Sequence, residues 1–415
     1  MPMPTRKMQC LAHRTLLPGV LAALLVGIAT TPSHAESIRS RQWHLTAMKA
    51  EEMWKATKGE GVTVAVIDSG VDDKNPDLVG QVLLGRDLAV GTRGDEHTDY
   101  DGHGTGMAGL IAGTGRSGGG DGAFGLAPGV KILPIRMPDH GLNAPRHTKE
   151  FNQAASSAIR YAVDSGARVI NISLGSRAGS KQLTDAVSYA LDKGSLVFAA
   201  VGNSGDEGNP VEYPAATPGV VGVGAVGQDL RKTAESQYGP QVDLAAPGTD
   251  LVHACGIETG LCEAHGTSGA TALASASAAL IWSKHPDWTN NQVLRVMLNT
   301  AAGPTSGAKR NDHIGYGVVR PRIALKTPGD PGPADEYPLP DLAAAEPMSP
   351  SSKPSEPAGN EVEEDKQSAA VPARDDDSDT ALWITLGVGA AALLGAAFAI
   401  PVVRARRRNT TFIGQ

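Results

Sequence analysis

The sequence predicts an α/β fold of three layers, a mainly parallel sheet covered by helices on both faces. Short β-branched runs alternate with helical spacings through the middle of the chain, the order that a parallel sheet with crossover helices requires. That middle, 59–326, is about 270 residues long and can bury one sizeable core. Of the 415 residues, 41% are hydrophobic and 20% charged, too apolar for a wholly disordered chain, and the 50 glycines follow no collagen period.

The elements follow in order. Residues 62–67 form a β-branched run that ends in Asp68-Ser69-Gly70. Asp101-Gly102-His103-Gly104 opens an apolar helix, and 130–135 reads as the next strand. Phe151, Ala155, Ile159 and Val163 fall on one helical face over 150–165. Strands are then predicted at 169–174, 196–201, 220–226 and 242–244, with helices at 183–193, 270–282 and 291–300. Folds of this class place their chemistry at the carboxyl ends of strands.

The two ends carry export and anchoring signals. Arg6, Lys7 and Arg14 flank the apolar run 16–29, and Ser33-His34-Ala35 supplies small residues at the −3 and −1 positions. These are the parts of a signal peptide over 1–35, cleaved after Ala35, with Cys10 leaving in it. Residues 36–58 then form a short N-terminal extension. Residues 381–403 lack any charge and are long enough for a transmembrane helix across the ~30 Å hydrocarbon core. Arg404, Arg406, Arg407 and Arg408 follow, so 404–415 is expected as a cytoplasmic basic tail and everything before the span as extracytoplasmic. The expected location is the cell membrane, single-pass.

Between body and span, 327–380 holds 14 Asp and Glu against 3 Lys and Arg, with 10 of the 28 prolines. It reads as a disordered Pro/acidic linker, self-repelling and on the order of 40 Å or more in reach. Its charge of −11 accounts for more than the net −7, leaving +4 elsewhere. Binding of nucleic acid driven by overall positive charge is therefore not expected. Three cysteines exclude a disulfide-dense scaffold and a four-cysteine zinc site.

Three motifs carry the chemistry. Asp68 ends a strand, His103 sits among glycines at a helix start, and Ser268 lies in His265-Gly266-Thr267-Ser268-Gly269-Ala270 before an Ala-rich helix. A serine hydroxyl needs an adjacent base to become a nucleophile, and histidine titrates near neutrality. A buried aspartate then holds the imidazole tautomer. Singly, Asp68 suits a turn or cap, His103 is one of 11 histidines, and Ser268 suits a helix N-cap. Together, each flanked by glycine and in the order Asp, His, Ser, they match the order of the subtilisin triad.

Over 59–326 the chain resembles the subtilisin family of serine proteases. VAVIDSGVD, DGHGTGMAG, VINISLG, VGNSGDEGNPVEYPAA, AAPGTDL and GTSGATALASASAAL carry the likeness. The resemblance implies a subtilisin-like fold and an endopeptidase acting on protein or peptide substrates. It assigns Asp68, His103 and Ser268 to the triad and Asn203 to the oxyanion hole. It assigns Ser173, Leu174, Gly175, Ala200 and Gly202 to substrate-lining strands that an extended peptide can pair with. Gly269 and Ala272 depart from the family pattern, in which a large apolar residue and a proline stand there. The short extension with Trp43 and Trp54, the linker, the span and the basic tail resemble the mycosins, membrane-anchored subtilases associated with type VII secretion. That likeness implies a secretion membrane complex as a partner.

No cofactor and no required calcium are expected. The loop 118–125 lacks the long asparagine-rich calcium loop of secreted subtilisins, and Asp95, Asp99 and Asp121 read as exposed loop carboxylates. In an exported protein Cys255 and Cys262 are expected to pair as a disulfide bracing the loop before Ser268. Two rival readings use the same residues, a protease-like scaffold stabilising a secretion complex and a transpeptidase or esterase.

Overall fold

The computed structural model describes residues 37–138, 145–256 and 260–345. The predicted signal peptide, most of the linker, the span and the basic tail lie outside the described residues. Among the described residues no helix is long and apolar enough to cross a membrane.

Seven parallel strands form the central sheet: β1 (Thr63–Asp68), β2 (Arg86–Asp87), β3 (Lys131–Arg136), β4 (Val169–Ile172), β5 (Leu196–Ala200), β6 (Val221–Val226) and β7 (Leu244–Pro247). Their order is β2-β3-β1-β4-β5-β6-β7. The core strands are buried on both faces, which is why they read as unbroken apolar runs. Alternate residues of β1 serve opposite layers. Ala65 and Ile67 pack under two amphipathic helices, Pro145–Asp164 and Lys181–Asp192, whose Phe151, Ile159, Leu183 and Val187 complete that core. Val64 and Val66 face the other layer, where helices His103–Ala112 and Thr267–Lys284 meet the sheet and Asn290–Thr300 packs against Thr267–Lys284. Thr267–Lys284 is buried almost all round, so its run of alanines is what allows the sheet and neighbouring helices to approach it.

The seventh strand differs from its expected position at 242–244 and runs on to Pro247. Ala245 and Ala246 carry little hydrophobic signal, yet both are fully buried, Ala245 beside Val226 and Val318. A hairpin of β8 (Leu251–Ala254) and β9 (Leu261–Ala264) was not predicted. Cys255 and Cys262 are disulfide-bonded across it, with Cα atoms 5.8 Å apart.

Two segments expected outside the body belong to it. In the extension, short helices at Ile38–Arg41, Trp43–Met48 and Ala50–Trp54 bury Leu45, Ala50 and Met53. Gln42 is fully buried and donates to Phe124 O and Val252 O, at 2.7 and 3.0 Å, while accepting from Phe124 N at 3.1 Å. The Trp43 and Trp54 indoles donate to Thr249 O and Leu126 O. None of these partners is a residue of the predicted site.

Residues 327–345, expected in the linker, also pack on the body. Arg295 donates to Pro331 O, Pro333 O and Glu336 O, Leu339 is buried, and Tyr337 Oη donates to Gly219 O. A proline-rich segment loses little entropy on ordering, and the Arg295 guanidinium, donors from Thr289, Asn291 and Gln292 to Ala334 O and Gly332 O, and two apolar anchors hold it.

Candidate active site

Asp68 is the last residue of β1 and is completely buried. Three donors converge on its Oδ1: Ser69 N at 2.8 Å, Ser69 Oγ at 3.3 Å and His103 Nδ1 at 2.6 Å. His103 opens its helix after Gly102, which takes the left-handed conformation. The next residue must be glycine, because a Cβ on Gly104 would collide with Gly70 O and stand 3.1 Å from Asp68 Cβ. The glycines around His103 are therefore the condition for bringing imidazole and carboxylate together.

Asp68 pulls the His103 imidazole up to about 9 from its ordinary 6.5. Burial acts the other way, and Asp101 and Asp99 add to the rise. Asp101 accepts from His103 N at 2.8 Å. Asp99 is half-buried and not the exposed loop carboxylate expected. It accepts from Ser69 Oγ, Gly102 N, Thr105 N and Thr105 Oγ1 within 3.0 Å. Burial raises its carboxyl above the ordinary value in spite of these bonds. Asp99 thus braces the turn that presents both Ser69 and His103. Nothing in the motif order singled it out, because its partners come from two separate segments.

Ser268 is the second residue of the helix Thr267–Lys284. Its Oγ donates to Ser173 O at 3.2 Å, and Ser173 Oγ donates back to Ser268 O at 3.0 Å. Since Ile67 pairs with Ile172, Asp68 and Ser173 stand level on neighbouring strands. The sheet register therefore gathers Asp68, His103 and Ser268 at one carboxyl rim. His103 and Ser268 share no hydrogen bond; catalytic contacts of this kind commonly tighten only in the complex with substrate.

Asn203 follows β5 and is exposed. Its Oδ1 accepts from Thr267 N at 2.8 Å and Thr267 Oγ1 at 3.0 Å, which leaves Nδ2 as the free donor. A Cβ on Gly266 would come within 2.9 Å of that Nδ2. Thr267, not noticed in the sequence, is what fixes the amide's orientation. The residues expected to line the substrate sit on the same rim: β4 and β5 are neighbours with Ile172 opposite Ala199, so Ser173 and Ala200 are level. Leu174 and Gly175 then run on to Ser176, which pairs with Tyr213.

The departure at Gly269 has a physical cause. A Cβ there would lie 2.5 Å from Leu251 Cδ1 and 3.3 Å from Leu110 Cδ1, so the hairpin fills the space a larger side chain needs. Among the described residues no group of three or more His, Cys, Asp or Glu is arranged to hold a metal ion. Asp121 accepts from Ile38 N, and Asp95 from Thr98 and His97.

Residues 59–317 match the subtilase family, Peptidase_S8. The chain is 38% identical over 269 residues to a thermophilic serine proteinase of Bacillus sp. (strain AK1), covering 64% of this chain and 62% of that protein. It is 33% identical over 268 residues to thermitase of Thermoactinomyces vulgaris, covering 65% of this chain and 90% of thermitase. The fold matches MycP1 from the ESX-1 type VII secretion system with a TM-score of 0.63 at 29% identity, over 73% of this chain and 90% of that one. MycP3 from the ESX-3 type VII system matches at a TM-score of 0.58 and 34% identity, over 68% and 87%. The chain belongs to the subtilase family of serine proteases, and its structural neighbours include the mycosins of type VII secretion.

Proposed function

We propose that the chain is a serine endopeptidase using Asp68, His103 and Ser268, with its catalytic body outside the cell and a single membrane anchor at 381–403. The observation that carries the triad is the 2.6 Å contact of His103 with a buried carboxylate at the strand end level with the residue that holds Ser268. Ser268 Oγ swings from Ser173 O to His103 Nε2, loses its proton there and attacks the peptide carbonyl. Asp68 keeps Nδ1 protonated and stabilises the imidazolium. Asn203 Nδ2 and the Ser268 N–H hold the oxyanion, aided by the helix N-terminus. His103 passes the proton to the departing amine, and a water activated by the same imidazole releases the acyl group. Gly269 answers to packing rather than to a lost function, which favours an enzyme over a scaffold.

The mycosin-like architecture supports work beside a type VII secretion membrane complex on protein substrates. Fluorophosphonate labelling of the full chain beside Ser268→Ala tests the enzyme: wild type should label, the variant should not, and labelling retained on another residue would refute the assignment. Carbonate extraction of membranes from cells expressing the full chain or one ending at residue 380 tests the anchor. Release of both forms alike would refute it.

A further inference from the structure

Two histidines that the reaction does not use are buried where the N-terminal extension meets the β8–β9 hairpin. His44 belongs to the extension helix Trp43–Met48 and is completely buried, and neither of its ring nitrogens has a partner among the described residues. His253 belongs to β8 and is also buried. Its Nδ1 stands 2.8 Å from Ala254 O, which can only accept, so the ring proton is on Nδ1. Nε2 is then a buried lone pair with no partner. His253 is close enough to His44 to act on it electrostatically. Buried polar atoms that bond to nothing cost stability, and apolar side chains of similar size would avoid that cost. What the two imidazoles add is sensitivity to protons.

The hairpin connects this pair to both catalytic helices. The His253 ring fills the space beside Gly106, one turn after His103, where a Cβ would stand 2.6 Å from His253 Cε1. A Cβ on Gly109 would stand 2.7 Å from Ala254 O, and Leu251 fills the space beside Gly269, next to Ser268. The extension holds the same hairpin through Gln42 on Val252 O, Trp43 on Thr249 O and the 3.8 Å pair of Arg41 with Glu263. The charged and titratable groups acting on His44 are His253 and Arg39, and the one acting on His253 is His103. Arg39 is itself paired with Glu51. Among the described residues no carboxylate acts on either ring, so a proton on either one adds a buried charge with nothing to match it.

We propose that His44 and His253 form an acid-sensitive latch by which the extension regulates the site. While both are neutral, the extension seats the hairpin against the helix of His103. When they take up protons, the extension lifts away and that helix loses its support. The effect on activity rests on the protease reading above, whereas the latch itself does not. Burial holds both rings below their ordinary value, and an opened extension returns His44 to it. The closed form is therefore favoured at neutral pH and loses ground as pH falls below about 6.5. For His44 alone, at about 3 closed and 6.5 open, the opening equilibrium grows about 25-fold from pH 7 to pH 5. The Cys255–Cys262 disulfide ties the two hairpin strands together, so the extension parts from the hairpin and the hairpin does not unravel.

The test is hydrogen exchange of the full chain in detergent at pH 7 and pH 5, read by mass spectrometry and corrected for the chemical exchange rate at each pH. In wild type the amides of 42–54 should exchange about 25-fold or more faster at pH 5. Those of 104–110 in the helix of His103 should follow, while strands 169–172 and 196–200 keep their protection. His44→Leu should remove most of the acceleration. Equal protection of 42–54 at both pH values, the same acceleration in His44→Leu, or a uniform loss that includes the two strands overturns the latch. Faster exchange in 42–54 with 104–110 unchanged overturns its link to the site. At pH 8 a fluorophosphonate should label wild type and His44→Leu alike. Loss of labelling in the variant alone overturns the latch, because a neutral side chain should serve at that pH. Absence of labelling in wild type overturns the protease reading, and the exchange result then decides the latch by itself.

Discussion

Replacing Asp68 by Asn probes the centre of the site with almost no change of shape. Oδ1 of Asp68 receives three donors, whereas Oδ2 is buried and has no partner. An asparagine oriented like Asp68 puts its NH2 at the unpartnered position, a lost-hydrogen-bond cost of about 1–3 kcal/mol. Turned over, it donates to His103 Nδ1 and imposes the tautomer with the proton on Nε2, which cannot accept from Ser268. A tautomer error of this kind lowers kcat by ~10⁴. The pH profile moves the other way. With His103 at about 9, only ~1% of the imidazole is neutral at pH 7, so wild-type kcat/KM should climb about tenfold per pH unit toward 9. Without Asp68 the first cause of that elevation is gone, and burial is opposed only by Asp101 and Asp99, so the limb should move to lower pH. The assay is kcat/KM from pH 5 to 10 on active-site-titrated enzyme, with thermal unfolding as a check on folding. A variant within tenfold of wild type, or one whose limb does not move, would refute the proposed pairing.

Three further perturbations follow from the same contacts. Asn203→Ala removes the Nδ2 donor oriented by Thr267 and should lower kcat by ~10²–10³ with little change in KM; a KM effect alone would place Asn203 outside the oxyanion hole. Gly269→Leu forces a side chain against Leu251 and Leu110 and should cost about 1–3 kcal/mol, read as a fall in Tm in calorimetry; an unchanged Tm would mean the hairpin yields freely. His44, fully buried with neither ring nitrogen partnered, is held down to about 3, chiefly by burial and then by His253 and Arg39. Because the unfolded chain takes up that proton near 6.5, stability should fall as pH drops from about 6.5 toward 3. His44→Leu should flatten part of that slope in urea unfolding at pH 7 and pH 5, and an identical slope would sink this account.

Much of the sheet was legible because strands buried on both faces must be continuously apolar. β1, β4 and β5 fall within a residue or two of their expected positions. The hairpin 251–264 was not, since its short strands alternate weakly and its pairing depends on where the body places it. Residues 327–345 misled for a related reason, since their composition is that of a solvated segment, and the packing of the extension was no more legible; what orders the two is largely a few long-range bonds from Gln42, Trp43 and Arg295.

The order Asp68, His103, Ser268 and the small residues around each were local properties, visible because backbones that converge this closely tolerate little beyond glycine and alanine. The register that sets Asp68 level with Ser173 was not local, nor were the bracing of Ser69 by Asp99 or the orientation of Asn203 by Thr267. Each joins residues tens of positions apart, or different strands, and such distances exist only once the sheet has closed.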